Sequence, residues 1–306
     1  MHTTLDCVPC FARQALEAAR FAAADEATRR RIVREALAML ATETDLDQSP
    51  PQIGQRIHRL VRGLAGDDDP YAGLKDRSNA SALAALPRLR ALVDAHADPL
   101  GAAVRLAIAA NVLDAGMNAA AMAGELHDEA AGGDAGDAVV RALERGLHEP
   151  LHGDVDEFRE AVAAAGRILF LTDNCGEIVV DRLLVEQLPA DRLTIAVRGA
   201  PVLNDATIAD ARCAGLDRLA PVIDNGSDAP GTLLGGCSPR FRRIFSEADL
   251  IIAKGQGNYE TLSDADADIF FLFKVKCPLI AEHAELPPRA NALVRSRKAP
   301  HKRRTG

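Results

Sequence analysis

Apolar positions recur at helical spacing through the first half of the chain and contract into short unbroken runs in the second. Between residues 11 and 42, Leu16, Ala19 and Ala23, then Ile32, Leu37 and Leu40, follow the three-to-four-residue period of a buried helix face. Pro9 stands just ahead as a helix starter, and a break near Ala24-Asp25 divides the pattern into two helices. Helical patterns also cover residues 53–64, 78–95, 99–113 and 138–147. Gly66-Asp67-Asp68-Asp69-Pro70, Ala97-Asp98-Pro99 and Gly132-Gly133-Asp134 separate them. Residues 1–150 thus form a mainly helical N-terminal region.

The texture changes near residue 165. Apolar runs at 168–171, 193–197, 222–223, 250–253 and 269–273 lack alternation, as strands buried on both faces do. They recur every 20 to 30 residues, with helical patterns such as 177–188 and 239–248 between them. That rhythm is βαβ, and it predicts an α/β fold with a doubly wound sheet over 151–288. Residues 289–306 carry Arg295, Arg297, Lys298, Lys302, Arg303 and Arg304 with little apolar content, which predicts a frayed, solvated basic tail.

Composition narrows the function classes. The 306 residues are 48% hydrophobic and 26% charged, the balance of a globular chain. Trp is absent and aromatics make up 4%, so the core is expected to rest on Leu, Val, Ile and closely packed Ala. No apolar stretch approaches the roughly 18 residues of a membrane span, and the N-terminus shows no secretory pattern. A net charge of -8, from 36 basic and 44 acidic side chains, repels a phosphate backbone and argues against nucleic acid as a partner. A phosphorylated small molecule would need a local cation. Six cysteines in an untargeted chain of this size read as reduced thiols, and the cytoplasm is the expected compartment.

In open α/β sheets, ligands bind beyond the carboxyl ends of the strands. Here those ends are polar: Thr172-Asp173-Asn174-Cys175-Gly176-Glu177, Arg198-Gly199-Ala200-Pro201-Val202-Leu203-Asn204-Asp205, Asp224-Asn225-Gly226-Ser227-Asp228, and Lys254-Gly255-Gln256-Gly257-Asn258. Three ends supply carboxylates and the fourth a lysine. Carboxylate and amide oxygens converging on one crevice repel one another unless a hard cation neutralises them, which points to Mg²⁺ or Mn²⁺. Helix capping by Asp173, Asn174, Asn204 or Asp205 is the plainer reading of any single loop. Gly255-Gln256-Gly257 after a strand is a weak nucleotide signal, because the first strand-helix turn is acidic where a dinucleotide fold has glycines. A phosphoaspartate route lacks its acid, since Cys175 stands two positions after Asp173. A metal-activated water is the better nucleophile.

Taken together, Cys7-Val8-Pro9-Cys10 with Arg13-Gln14-Ala15-Leu16, Asp69-Pro70-Tyr71 with Ser78-Asn79, Asn111 with Asp114 and Gly116, and the four strand-end motifs closely resemble the metal-dependent damage-control phosphatases. That family was long catalogued as domain of unknown function number eighty-nine. The resemblance covers nearly the whole chain outside the basic tail and is greatest to the stand-alone prokaryotic branch with an N-terminal cysteine pair. It implies a helical N-terminal part packed on an α/β/α domain, and hydrolysis of phosphate monoesters such as sugar phosphates or damaged metabolites with a divalent cation. Manganese or magnesium would be the expected metal, with cobalt or nickel able to substitute in vitro. The metal ligands fall on Asp173, Asn174 and Asp205, and the phosphate-holding lysine on Lys254. The remaining motif positions Asn111, Glu177, Arg198, Asn204, Ser227, Asp228 and Asn258 become the substrate-binding set. Asp173 or Asp205 is also the candidate to orient the attacking water. The match departs at Cys175, where Ala or Ser is commoner, leaving pocket shape and oxidation sensitivity open. The rival readings are an S-adenosylmethionine-dependent carboxyl methyltransferase and a non-enzymatic metabolite-binding protein.

The Cys7/Cys10 pair admits three roles. One C-x-x-C lacks the second pair of a closed zinc site, although His2 offers a third ligand. Cys10 near a helix start has the setting of a reactive thiol. Buried structural thiols are the plainest reading. The eight histidines show no pair at helical ligand spacing and are not assigned to the site.

Overall fold

The computed structural model describes residues 1–22, 25–43, 45–113 and 135–296. Five α-helices open the chain: α1 Cys7–Phe21, α2 Glu26–Glu43, α3 Pro50–Ala65, α4 Ala72–Ala95 and α5 Pro99–Ala109. The last runs on as a 3-10 turn over Ala110–Leu113, and α6 spans Ala135–His148. Asp114 and Gly116 of the sequence motif lie outside the described residues. Local chemistry sets these ends. Pro50 takes the first turn of α3, where its missing N–H costs nothing, and Ser49 N–H donates to Gln52 Oε1 at 2.9 Å. The helix stops at Gly66, whose φ of 68° fits the left-handed cap. The first helix begins at Cys7 rather than at residue 11, so the cysteine pair lies within it.

The second half alternates: β1 Leu151–His152, α7 Val155–Ala164, β2 Ile168–Leu171, α8 Glu177–Val185, β3 Leu193–Val197, α9 Ile208–Cys213, β4 Val222–Asp224, α10 Pro239–Glu247, β5 Leu250–Lys254, α11 Gln256–Leu262, β6 Ile269–Lys274, α12 Pro278–His283 and β7 Asn291–Ser296. One 7-stranded sheet results, in the order β1-β7-β6-β5-β2-β3-β4. All neighbours are parallel except β6 and β7, which run antiparallel from Ile269↔Ser296 to Lys274↔Asn291. The chain leaves β2 for β3 and β4 on one side and returns through β5 on the other. The order therefore reverses between β2 and β5, the switch point where a crevice opens in such sheets.

Strand β7 corrects the expectation of a frayed tail from residue 289. Ala292 and Leu293 are buried in it, and Arg295 donates to Asp268 at 2.7 and 2.8 Å and to Glu157 at 3.1 Å while lying over the Phe270 ring. Its charge is a tie to the sheet, not a mark of solvation. The α/β part extends to Ser296, and the remaining basic positions lie outside the described residues.

Alternate residues of the strands feed two cores. Phe170, Ile195, Ile252 and Leu272 join α4, α5, α6, α7 and α8 on one face. Leu171, Ile251, Phe271 and Phe273 join α10, α11 and α12 on the other. Helices on both faces explain the unalternated sequence runs. Because α4 to α6 share the sheet's core, the N-terminal region is not a body apart. Only α1, α2 and α3 build a core of their own, with Phe11, Ile32, Ile53 and Tyr71, and Val202 and Leu203 from the loop after β3 plug into it. Among the described residues no helix is long and apolar enough to cross a membrane.

A single carboxylate fastens this helical cap. Asp228 accepts hydrogen bonds from Gln55 Nε2 at 2.6 Å, Arg59 at 2.6 and 2.9 Å and Arg62 Nη2 at 2.6 Å, while Arg62 also donates to the Pro201 carbonyl at 2.9 Å. Burial alone would raise this carboxyl, but the hydrogen bonds from Arg59 and Gln55 outweigh it and hold the pKa down to about 2. Asp228→Asn is expected to destabilise the protein by about 2 kcal/mol at neutral pH. A depressed pKa contributes stability above the unfolded value of about 3.9 and loses it as pH falls towards the folded value. The melting-temperature gap between wild type and variant should therefore close between pH 4 and pH 2. A gap that persists unchanged at the acid end would show that the latch does not depend on the charge.

Candidate functional site

The loops after β2 and β3 are stitched together by their backbones. Ala206 N–H donates to the Asp173 carbonyl at 2.8 Å, Cys175 N–H to the Asn204 carbonyl at 2.8 Å, and Asn174 pairs with Asp205 in an isolated antiparallel bridge. This sets Asp173, Asn174 and Asp205 side by side at the carboxyl edge of the sheet. Leu203 holds a φ of 48°, rare for a side chain with a Cβ, and its insertion in the cap core compensates that strain. From the other side of the switch point Gly255, at φ 79°, presses its backbone on Asp173. A Cβ there would stand 1.9 Å from Asp173 Oδ2, so only glycine admits this approach.

Side chains behind these loops fix the three groups. Asn174 Nδ2 donates to Asp173 Oδ2 at 2.7 Å and Glu177 Oε2 at 3.0 Å, which turns its amide oxygen away from both carboxylates. Asn111 Nδ2 reaches Glu177 Oε2 at 2.9 Å and Asp173 Oδ2 at 3.4 Å. Arg198 Nε donates to Asp205 Oδ2 at 2.6 Å and Nη2 to Asp173 Oδ1 at 3.4 Å, so one guanidinium spans both acids. Its Nη1 is shared between Thr232 Oγ1 and Asn258 Oδ1. Asn258 in turn donates to the carbonyls of Thr172 and Lys254, bracing the ends of β2 and β5.

Lys254 departs from the expectation that it faces the crevice. It is 0% exposed, and its ammonium donates to the Ala107 carbonyl at 2.8 Å, to Glu177 Oε1 at 2.6 Å and to Asp181 Oδ1 at 2.6 Å. Burial works against its charge, but the two carboxylates prevail and hold its pKa above the ordinary lysine value. Asp181 is pushed up to about 7, chiefly by burial and then by the like charge of Glu177, against the pull of Lys254. The strand direction brings Lys254 to the correct edge, but its side chain turns under the sheet end towards α5 and α8.

A cavity of about 260 Å³ opens over the acidic edge. Phe11, Gln14, Pro51 and Gly54 of the cap form one wall, Asp173, Asn174, Asn204 and Asp205 the floor, and Gln256, Glu260, Lys276 and Cys277 the side opposite. Of the sequence candidates, Asp173, Asn174, Asn204 and Asp205 line it. Asn111, Glu177, Arg198, Lys254 and Asn258 form the frame behind them. Ser227 and Asp228 do not reach it: Ser227 Oγ accepts from Ala229 N–H at 3.2 Å in a turn, and Asp228 is the cap latch. A loop carboxylate reads alike in sequence whether it faces a cavity or an arginine pair. The signal for its true role was the spacing Gln55, Arg59, Arg62 along one helix face. Glu260 and Gln256, four apart on α11, were not singled out.

The cysteine pair is neither buried nor grouped with His2, whose Nδ1 lies 2.7 Å from the Asp47 carbonyl. Cys7 and Cys10 line the cavity instead, as does Cys277. Among the described residues no three His, Cys, Asp or Glu side chains are grouped as a metal site. Cys175 is buried with Sγ 3.8 Å from the Asp205 carbonyl, and burial pushes its thiol well above the usual range, so it neither shapes the cavity nor offers a thiolate.

The donor set itself fits a hard divalent cation. It comprises two carboxylates and an amide oxygen, all held by fixed hydrogen bonds, with no sulfur or nitrogen among them. Two buried atoms beside the set, Asn111 Oδ1 and Asn204 Nδ2, have no protein partner, as groups that meet water or a ligand do.

The chain resembles known proteins over nearly its whole length. A family model described as the damage-control phosphatase ARMT1-like domain matches residues 3–291. A damage-control phosphatase of Archaeoglobus fulgidus is 34% identical over 279 residues, 90% of this chain and 92% of that one. A second, from Pyrococcus horikoshii, is 33% identical over 304 residues, 97% and 99% of the two chains. An uncharacterized protein of Methanocaldococcus jannaschii is 32% identical over 305 residues, 95% and 94%. The crystal structure of a DUF89 family protein from Pyrococcus horikoshii superposes with a TM-score of 0.85 at 33% identity, over 96% of this chain and 99% of that one.

Proposed function

The chain belongs to the ARMT1-like damage-control phosphatase family, and from that premise we propose that it hydrolyses phosphate monoesters of small metabolites with a divalent cation, Mn²⁺ or Mg²⁺, held by Asp173, Asn174 and Asp205. The observation that supports this reading is the backbone bridge of Asn174 to Asp205, which brings Asp173, Asn174 and Asp205 side by side along the cavity floor. Such an ion would neutralise the phosphate's charge and lower the pKa of a bound water.

The chain's own residues do the rest. Arg198 keeps the two aspartates apart and oriented, and Glu177 with Asn111 keeps the Asn174 amide in one orientation. Lys254 and Arg198 temper the acidic floor from behind without presenting their charge to the cavity. Asp173 or Asp205 accepts a proton from the attacking water as its oxygen bonds to phosphorus, and returns that proton to the alkoxide as the P–O ester bond breaks, giving an alcohol and inorganic phosphate.

Phosphate release from a panel of phosphorylated metabolites, with Mn²⁺, Mg²⁺, Co²⁺ and Ni²⁺ added separately, tests the reading. Release should cease with a chelator and return when the cation is restored. Undiminished release in chelator removes the metal from the mechanism. Binding of S-adenosylmethionine without phosphate release from any compound overturns the phosphatase reading itself.

A further inference from the structure

Glu260 has no role in the site described so far, yet its surroundings single it out. It lies on α11, whose first turn presses on Asp173 through Gly255, and a rise of 1.5 Å per residue puts it about 6 Å farther along the helix than Gln256. The side chain is 9% exposed, and that remaining exposure lies on the cavity and on an adjoining open groove of about 480 Å³. Among the described residues Glu260 receives one hydrogen bond, from Gln256 Nε2 to Oε1 at 2.8 Å. Gln256 cannot turn away, because its Oε1 accepts the Lys276 backbone N–H at 3.0 Å.

A nearly buried carboxyl with one hydrogen bond is costly, and an apolar side chain at its place on α11 would pack without that cost. Phe11, Pro51, Leu203 and Pro278 of the wall offer no hydrogen-bonding side chain to a ligand's organic part, and Gln14 and Lys276 share the wall with Glu260 as polar side chains. We propose that Glu260, held by Gln256, is a specificity-determining residue whose carboxyl hydrogen-bonds a hydroxyl on the organic part of the substrate while the phosphate sits at Asp173, Asn174 and Asp205. A hydroxyl suits the position because it can donate to a carboxylate and accept from a carboxylic acid. Burial pushes Glu260 up to about 7, so both forms are present near neutral pH.

The inference rests on the phosphatase reading, and the test keeps the two apart. In Mn²⁺, kcat/KM is measured for a hexitol phosphate and for p-nitrophenyl phosphate, which has no hydroxyl on its organic part. The ratio of the two values should fall about 10- to 100-fold in Glu260→Leu, mainly through KM for the hexitol phosphate. The near-isosteric Glu260→Gln keeps one acceptor oxygen, should lower the ratio less, and serves if the leucine variant does not fold. A ratio within about twofold of wild type in the folded variants, whether both rates fall together or neither does, overturns the assignment. If wild type releases phosphate from neither compound nor from any member of the metabolite panel, the phosphatase reading has failed. Calorimetric binding of the hexitol phosphate then reads Glu260 alone: affinity lost in the variants upholds the contact, and equal affinity removes it.

Discussion

Asp173→Ala should lose at least about 10³-fold in cation-dependent phosphate release, the largest effect of any single substitution in this protein. Asp173 meets Asn174, Asn111 and Arg198 at once, and the backbone of Gly255 is fitted against it. Without its carboxylate the proposed cation would lose a ligand, Asn174 loses one of the two acceptors that orient its amide, and Arg198 loses one of the two acids it spans. The strands and their cores are untouched, so far-ultraviolet circular dichroism should match wild type. Mn²⁺ titration by calorimetry should show weakened binding in step with the lost rate. Wild-type turnover in this variant would take Asp173 out of the site, and with it the shared ligation by Asp205.

The second large effect concerns stability. Lys254→Met leaves Glu177 and Asp181 as two buried carboxyls without their cation, a loss of about 3–5 kcal/mol for breaking a buried ion pair from one side. The melting temperature should drop by about 10 °C. Adding Asp181→Leu removes one of the stranded acids and should recover part of the drop, which a purely catalytic lysine would not do. An unshifted melting temperature combined with a collapse of kcat would mean instead that Lys254 leaves its partners to hold the substrate phosphate.

Strand positions were legible in the sequence because helices cover both sheet faces, so each central strand had to be apolar throughout. The polar trio Asp173, Asn174 and Asp205 on the cavity floor was legible for a related reason: polar residues that follow such a run have only the carboxyl edge to occupy. Strand β7 was hidden by the basic run around it, since a letter carries charge but not the identity of a partner, and Arg295 finds Asp268 and Glu157 outside the strand. Lys254 was misjudged for the same reason. Its chain position fixes the sheet edge, while the direction of its side chain depends on Asp181, a residue inside a buried helix that no motif marks. Gly255 belonged to a weak nucleotide signal, and its actual task is steric. The cavity wall opposite the acids could not be read, because Gln256 and Glu260 repeat at ordinary helical spacing and nothing local says which face of α11 is open.

The cap latch has a consequence for how the protein matures on the ribosome. Gln55, Arg59 and Arg62 meet Asp228 across separations of 166 to 173 residues, and Gly54 packs near Pro230. At a synthesis rate of roughly 5–20 residues per second, the cap helices emerge many seconds before the loops they clasp. Helices α1 to α3 can close their own small core in that interval, but its gap for Val202 and Leu203 stays open. The nascent chain thus carries a preformed receptor that waits for its plug. The acidic floor acquires its roof only after β3 and β4 have left the tunnel, and the sheet is completed later still, when β7 turns back to pair with β6 and β1. The order of emergence therefore makes catalytic competence the last property the molecule gains, and a truncated product never acquires it.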